Sequence, residues 1–332
     1  MFSSSIRTMF AAAAILLAPA GHAATKVNAA YGNTSILNAP IWIAKERGYF
    51  AKYGLDVELV QLTGTRITAG LMSNGVQFIS SSASSPFLAN IAGGDSLLVA
   101  TMLNKLPYDL VVDGSKIKSF SDFKGKIGAI VLRGDISDVQ LRYVLKNNGV
   151  DPEKDVNLLQ GMGNDPERIA AIVTGNANFT LVQPDYRNIY ESAKLTKFLN
   201  VMDQKGSDFL MSGTFTTATY AKANPDTVTS YVKAISEALV YMQNEDEGTI
   251  AIVSKYSQRP ATDIRLGFKF YQSLMQRKPL VSRELVVACL ETLVETSPEA
   301  AKVSPDKLLD TSFAAKLEAE GFFDKVAKEG GK

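Results

Sequence analysis

The chain has 332 residues, is 46% hydrophobic and carries 35 basic against 34 acidic residues, enough apolar content for one large or two medium globular domains. That balance excludes a disordered or fibrous chain, and no basic excess draws it to nucleic acid or anionic lipid. One cysteine and one histidine leave no disulfide framework and no thiolate metal cluster.

Residues 1–23 read as a secretory signal peptide. A polar start with Arg7 precedes an apolar run from Met9 to about Ala18, and Gly21-His22-Ala23 close the segment with small residues. The run is too short to span a bilayer, which takes roughly 18 apolar residues or more, and no later run reaches that length. No cysteine lies beside the cleavage position to accept a lipid, so the expected location is periplasmic and soluble. Removing Arg7 with the segment leaves 34 basic residues against 34 acidic ones, and His22 leaves too. Ser-His-Asp and Cys-His nucleophiles, His-ligated zinc and a His general base are then all excluded. No metal or cofactor is expected.

The first strand is TKVNAAYG (25–32), followed by the loop NTSILNA. Pro40 opens a helix, PIWIAKERGYFAKYG, which Gly54 ends. The strand LDVELVQL, the loop Thr63-Gly64-Thr65-Arg66, the helix ITAGLMSNG and the strand VQFIS come next. Ser84-Ser85-Pro86 then cap a short helix that stops at Gly93-Gly94. After strands at 97–103 and 108–113 the pattern restarts: strand KIGAIV, loop LRGD, helix ISDVQLRYVLKNNG, strand VNLLQ, loop GMGND, helix PERIAAIVTG and strand ANFTLV. RIAAIVTGNANF (168–179) repeats the plan of RITAGLMSNGVQF (66–78), so the chain writes one helix-strand unit twice, about a hundred residues apart. Strands alternating with helices imply parallel sheets, and the repeat implies two α/β lobes of one design.

Strands at 197–203 and 213–221 follow, and the remainder is helical. NPDTVTSYVKAISEALVYMQ spaces Val228, Tyr231, Val232, Ile235, Leu239 and Met242 on one face, and further helices are expected near 246–257, 260–276, 282–296 and 311–320. Cys289 shares an apolar face with Leu285, Val286, Leu290 and Leu293 and reads as a core residue. The tail AAKLEAEGFFDKVAKEGGK alternates charge and reads as a solvated surface helix. Such a helical tail must bury its apolar faces, and returning to the first lobe does so. The first lobe is therefore expected at 24–107 plus 210–332 and the second at 108–209, with crossovers near 104–113 and 203–214.

The segments APIWIAKERGYFAKYGLDVELVQLTG, SFSDFKGKIGAI, GVDPEKDVNLL, LMSNGVQFISSSASSPFLANIAGGD and RIAAIVTGNANFTLVQPD resemble the substrate-binding proteins of the nitrate, sulfonate, taurine and thiamine-precursor ABC importers. The pattern Pro40, Ala44, Gly48, Phe50 followed by Gly54-Leu55-Asp56-Val57 carries much of the likeness; Gln77 departs from the family's usual Asp. The resemblance implies a type II periplasmic-binding-protein fold: two doubly wound α/β lobes, joined by two crossovers, closing over a small solute. It implies delivery to an inner-membrane permease with a cytoplasmic ATPase, by a monomer that performs no chemistry. A sulfonate or carboxylate is the expected ligand, with nitrate or a thiamine-precursor pyrimidine as the alternative. The related thiamine-pyrimidine synthases are histidine-dependent, which argues against an enzyme here.

Loops at the carboxyl ends of strands are where such a fold binds ligands. In the first lobe they supply Asn33, Asn38, Thr65, Ser81 and Ser82; in the second, Arg133, Gly134, Asp135, Ser137, Gln183 and Asp185. Helix N-termini beside these loops suit an oxyanion. Arg133 offers a guanidinium that either grips that oxyanion or pairs with Asp135 on the rim. Asp135 and Asp185 either receive a ligand ammonium or cap helices. Trp42, the only tryptophan, either walls the cleft or packs in the core. Neither TGTR nor RGD belongs to a phosphate-binding fingerprint.

Overall fold

Ten strands fall into two five-stranded sheets in the computed structural model, which describes residues 23–205 and 207–330. The signal-peptide reading of 1–23, with Arg7 and His22, lies outside the described residues except for Ala23. The strands in chain order are β1 (Thr25–Tyr31), β2 (Leu55–Gln61), β3 (Phe78–Ser81), β4 (Ser96–Lys105), β5 (Asp109–Val112), β6 (Ile127–Ala129), β7 (Asn157–Leu159), β8 (Phe179–Val182), β9 (Thr196–Asn200) and β10 (Asp208–Thr217).

The first sheet runs β2-β1-β3-β10-β4 and the second β7-β6-β8-β5-β9. In the first, β1 lies parallel to β2 and β3, and β10 enters antiparallel between β3 and β4. The second matches it: β6 is parallel to β7 and β8, and β5 is antiparallel to β8 and β9. The sequence repeat is thus structural, since the helix Arg66–Met72 feeds β3 as the helix Asp165–Val173 feeds β8. In each sheet the antiparallel strand is the one that has just crossed from the other lobe. The crossovers are short, 106–108 and 201–207, so Asp208 and Phe209 belong to the first sheet rather than to the second lobe.

Three local expectations change. The helix expected from Pro40 to Gly54 is two helices, Ala39–Glu46 and Tyr49–Lys52, because Gly48 adopts φ 71°, a left-handed turn that favours glycine. The strand expected at 213–221 ends at Thr217, whose hydroxyl caps the Tyr220 N–H and starts the helix Ala218–Ala223. The charged tail is not solvated all round. It forms Ser312–Ala319 and Phe322–Gly330, and buries Leu317, Phe323 and Val326.

The core of the first lobe explains the long helical tail. Helix Pro225–Asn244 buries Val228, Tyr231, Val232, Ile235, Leu239 and Met242, with Tyr231 stacked on Phe78 of β3 at 4.0 Å. Each such side chain contributes about 1.5–3 kcal/mol by leaving water. Trp42 is fully buried, edge-on to Tyr31 at 5.4 Å and stacked on Tyr256 at 5.1 Å, so it is a core residue and not a cleft wall. Cys289 is also fully buried and accepts the Leu210 N–H; burial pushes its thiol up to about 12. No helix among the described residues is long and apolar enough to cross a membrane.

Candidate functional site

The carboxyl ends of β1, β3 and β6 face one another across the lobes, and their loops enclose a cavity of about 90 Å3. The rims touch: a Cβ on Gly64 would lie 2.8 Å from Leu132 Cδ1, and one on Gly134 would lie 3.3 Å from Leu88 Cδ1. Both glycines have positive φ, so the close approach and the backbone turn select the same residue. The lobes are therefore closed over this space.

The first lobe provides most of the polar wall. Asn38 donates to the Asn33 carbonyl (2.9 Å) and Oδ1 (3.0 Å) and accepts from the Ser80 hydroxyl (3.1 Å), which locks the loop after β1 onto β3. Ser82 and Ser84 bond to each other, and Ser85 bonds to Thr68 at 2.6 Å. Helix Ser84–Ile91 begins at Ala83, which offers no side-chain cap, so the first-turn N–H groups of Ser84 and Ser85 have no acceptor among the described residues. Ser84 and Ser85, at the positive end of the helix, line the cavity.

Among the described residues, Asp135 is the one charged side chain in the lining, and no lysine or arginine joins it. Its Oδ1 accepts from the Ser137 hydroxyl, the Ser137 N–H (2.8 Å) and the Asp138 N–H (3.4 Å), capping helix Ile136–Asn147. Its Oδ2 has no hydrogen-bond partner among the described residues. Burial pushes the carboxyl up, opposed by the Ser137 hydrogen bond and by the charge of buried Arg168, which pairs with Asp165 at 3.1 Å. The alternatives of capping and of meeting a ligand are not exclusive, since one oxygen caps and the other is free.

Asn33, Asn38, Ser81, Ser82 and Asp135 are brought together at the cavity, and the other expected residues are not. Thr65 sits at the cap position of helix Arg66–Met72 without a side-chain bond, beside Thr63 and Gly64, which do line the space. The Gly134 N–H donates to Asp138 Oδ2, and buried Ser137 accepts the Val131 N–H, holding the loop rather than facing the solute. The Gln183 N–H is held by Asp165 Oδ1, and its side chain donates to the Tyr108 hydroxyl. Asp185 is bound by Arg259 and Tyr271; burial pushes its carboxyl up to about 6, against the opposing Arg259 charge.

Arg133 departs most from expectation. Neither lining the cavity nor pairing with Asp135, it is exposed and bonds Glu153 at 2.8 Å. An exposed pair of this kind contributes about 0–1 kcal/mol. Arg133→Ala is therefore expected to leave solute affinity within about twofold by calorimetry. Ser84, at the end of the loop that follows β3, lines the cavity with Ser81 and Ser82, and Ser85 and Ser212 line it without having been expected there. Ser85 stood out only as part of a helix start, and Ser212 lies on β10, whose place beside β3 depends on the whole second lobe intervening.

A family model described as NMT1/THI5 like matches residues 36–248. The putative binding protein YtlA of Bacillus subtilis is 25% identical over 306 residues, covering 89% of this chain and 91% of that protein. Among solved structures, the periplasmic nitrate-binding protein NrtA from Synechocystis PCC 6803 superposes with a TM-score of 0.73 at 17% identity, covering 91% of each chain. The periplasmic aliphatic sulphonate binding protein SsuA from Escherichia coli gives 0.71 at 19% identity, over 88% of this chain and 99% of that one. These similarities establish the periplasmic-binding-protein fold.

Proposed function

Because the chain belongs to the NMT1/THI5 like family, we propose that it is the periplasmic solute-capture component of an ABC importer, presenting its closed form to an inner-membrane permease powered by a cytoplasmic ATPase. Closure is driven by a solute that touches both lobes only when they meet, so binding shifts an open-to-closed equilibrium without chemistry. No histidine occurs among the described residues, and buried Cys289 is not part of the cavity lining.

The solute class is read from charge. Serine hydroxyls and the free N–H groups of Ser84 and Ser85 suit an oxyanion such as a sulfonate or carboxylate. A plain anion, however, would share a buried space with Asp135 and meet no basic side chain. The unpartnered Asp135 Oδ2 is the observation that carries the reading: the solute brings its own donor, an ammonium, opposite its oxyanion. The ligand is a small zwitterion of the amino-sulfonate or amino-carboxylate kind.

Calorimetry with 2-aminoethanesulfonate and ethanesulfonate separates the charges at nearly constant size. The first is expected to bind at least tenfold tighter, roughly 1.4 kcal/mol. Tighter binding of ethanesulfonate overturns the zwitterion and restores a simple anion.

A further inference from the structure

Outside the cavity, the C-terminal segment of the first lobe reaches across and takes hold of the second. Asp185, in the turn Pro184–Tyr186 after β8, is almost wholly buried against groups from that segment. Arg259 Nη1 donates to its Oδ2 at 2.8 Å, Arg259 Nη2 donates to its main-chain carbonyl, and the Tyr271 hydroxyl donates to Oδ1 at 3.0 Å. The Arg259 guanidinium also lies 4.2 Å over the Tyr186 ring. Both carboxylate oxygens of a second-lobe residue are thus held by the first lobe. None of these residues lines the solute cavity.

A second, independent observation concerns Gly267. It occupies the interior of helix Ala261–Leu274, where glycine costs about 1 kcal/mol relative to alanine. Its φ is not positive, so no backbone turn calls for it. What it does is admit Asp185: a Cβ here would lie 2.9 Å from Asp185 Cβ and 3.1 Å from Asp185 Cα. The helix gives up stability in order to seat a residue of the other lobe.

We propose that the Asp185–Arg259–Tyr271 clasp, seated on Gly267, sets solute affinity from outside the cavity by stabilising the closed arrangement of the lobes. Opening the cleft draws the Asp185 carboxylate out from between its donors and leaves Arg259 without its partner. Arg259 and Gly267 are positioning residues that act through the lobes and not on the solute. The apparent affinity then falls by the factor by which the closed population falls, whatever the solute. The clasp rests on capture by lobe closure but not on the zwitterion reading.

The test uses the full chain without ligand, so its outcome is independent of solute identity. Small-angle scattering is expected to show a larger radius of gyration for Arg259→Gln and for Gly267→Ala than for the unaltered chain. Gly267→Ala is the decisive variant: it raises helix propensity while wedging the lobes, so a merely structural role predicts greater stability and no expansion. Lys146→Ala cuts the exposed interlobe pair with Glu295 and is expected to leave the scattering unchanged. With a bound solute, Arg259→Gln is expected to speed dissociation about tenfold or more, by the same factor for every ligand. Superimposable scattering for Gly267→Ala, equal expansion with Lys146→Ala, or loss of helical circular dichroism in both clasp variants would overturn the proposal.

Discussion

Asp135→Asn is expected to weaken capture of an ammonium-bearing solute by about 10- to 100-fold, roughly 1.4–2.7 kcal/mol, the range of a hydrogen bond to a charged group. The substitution separates two roles of one side chain. Asparagine keeps an Oδ1 acceptor for the Ser137 and Asp138 N–H groups and is among the best N-cap residues, so helix Ile136–Asn147 stays capped. It replaces the unpartnered Oδ2 with an NH2 that donates where an acceptor is required. The melting temperature of the free protein should move by only a few degrees, since a lost cap would cost about 1 kcal/mol and here it is retained. Calorimetry beside differential scanning reads both quantities. Unchanged affinity with a lowered melting temperature would assign Asp135 to the cap alone.

Trp42→Ala is expected to cost about 3–5 kcal/mol of unfolding free energy, a large share of the roughly 5–15 kcal/mol typical of a folded domain. The ring ties three elements together: Tyr31 at the end of β1, its own helix Ala39–Glu46, and Tyr256 of helix Asp246–Ser257. Tyr256 is itself fixed by donating to Glu46 Oε1 at 2.9 Å, so the wall behind the lost ring cannot easily collapse into the void. Trp42→Phe should cost far less, because the indole N–H has no acceptor to lose among the described residues and a ring still fills most of the space. Urea unfolding followed by circular dichroism provides the comparison. Equal losses for the two variants would contradict this account of the packing.

The architecture was legible because its signals are local. The Arg66 and Arg168 segments repeat one helix-strand plan, and the positions of Pro225 and of its apolar face mark a buried helix from spacing alone. The site was half legible. Asn33, Asn38, Ser81 and Ser82 follow strands whose direction the pattern fixes, and they reach the cavity. Arg133 has the same credentials, but Glu153, twenty residues on, captures it, and spacing carries no information about that encounter. Asp185 shows the same difficulty on a larger scale, for its partners Arg259 and Tyr271 arrive from a segment that only tertiary packing brings near. The charged tail misled for a different reason: alternating signs describe one side of a helix and are silent about Phe323 and Val326 on the other.

The exchange of one strand between the sheets has a consequence for the order in which the halves assemble. Until β10, which begins only at Asp208, is in place, the gap between β3 and β4 stays empty. The five strands of the other half are encoded without interruption, from Asp109 to Asn200, and can pair without waiting for a later segment. The half that starts first therefore finishes last, and until then it presents two unpaired strand edges, a template for aggregation that pulsed hydrogen exchange during refolding should find protected last.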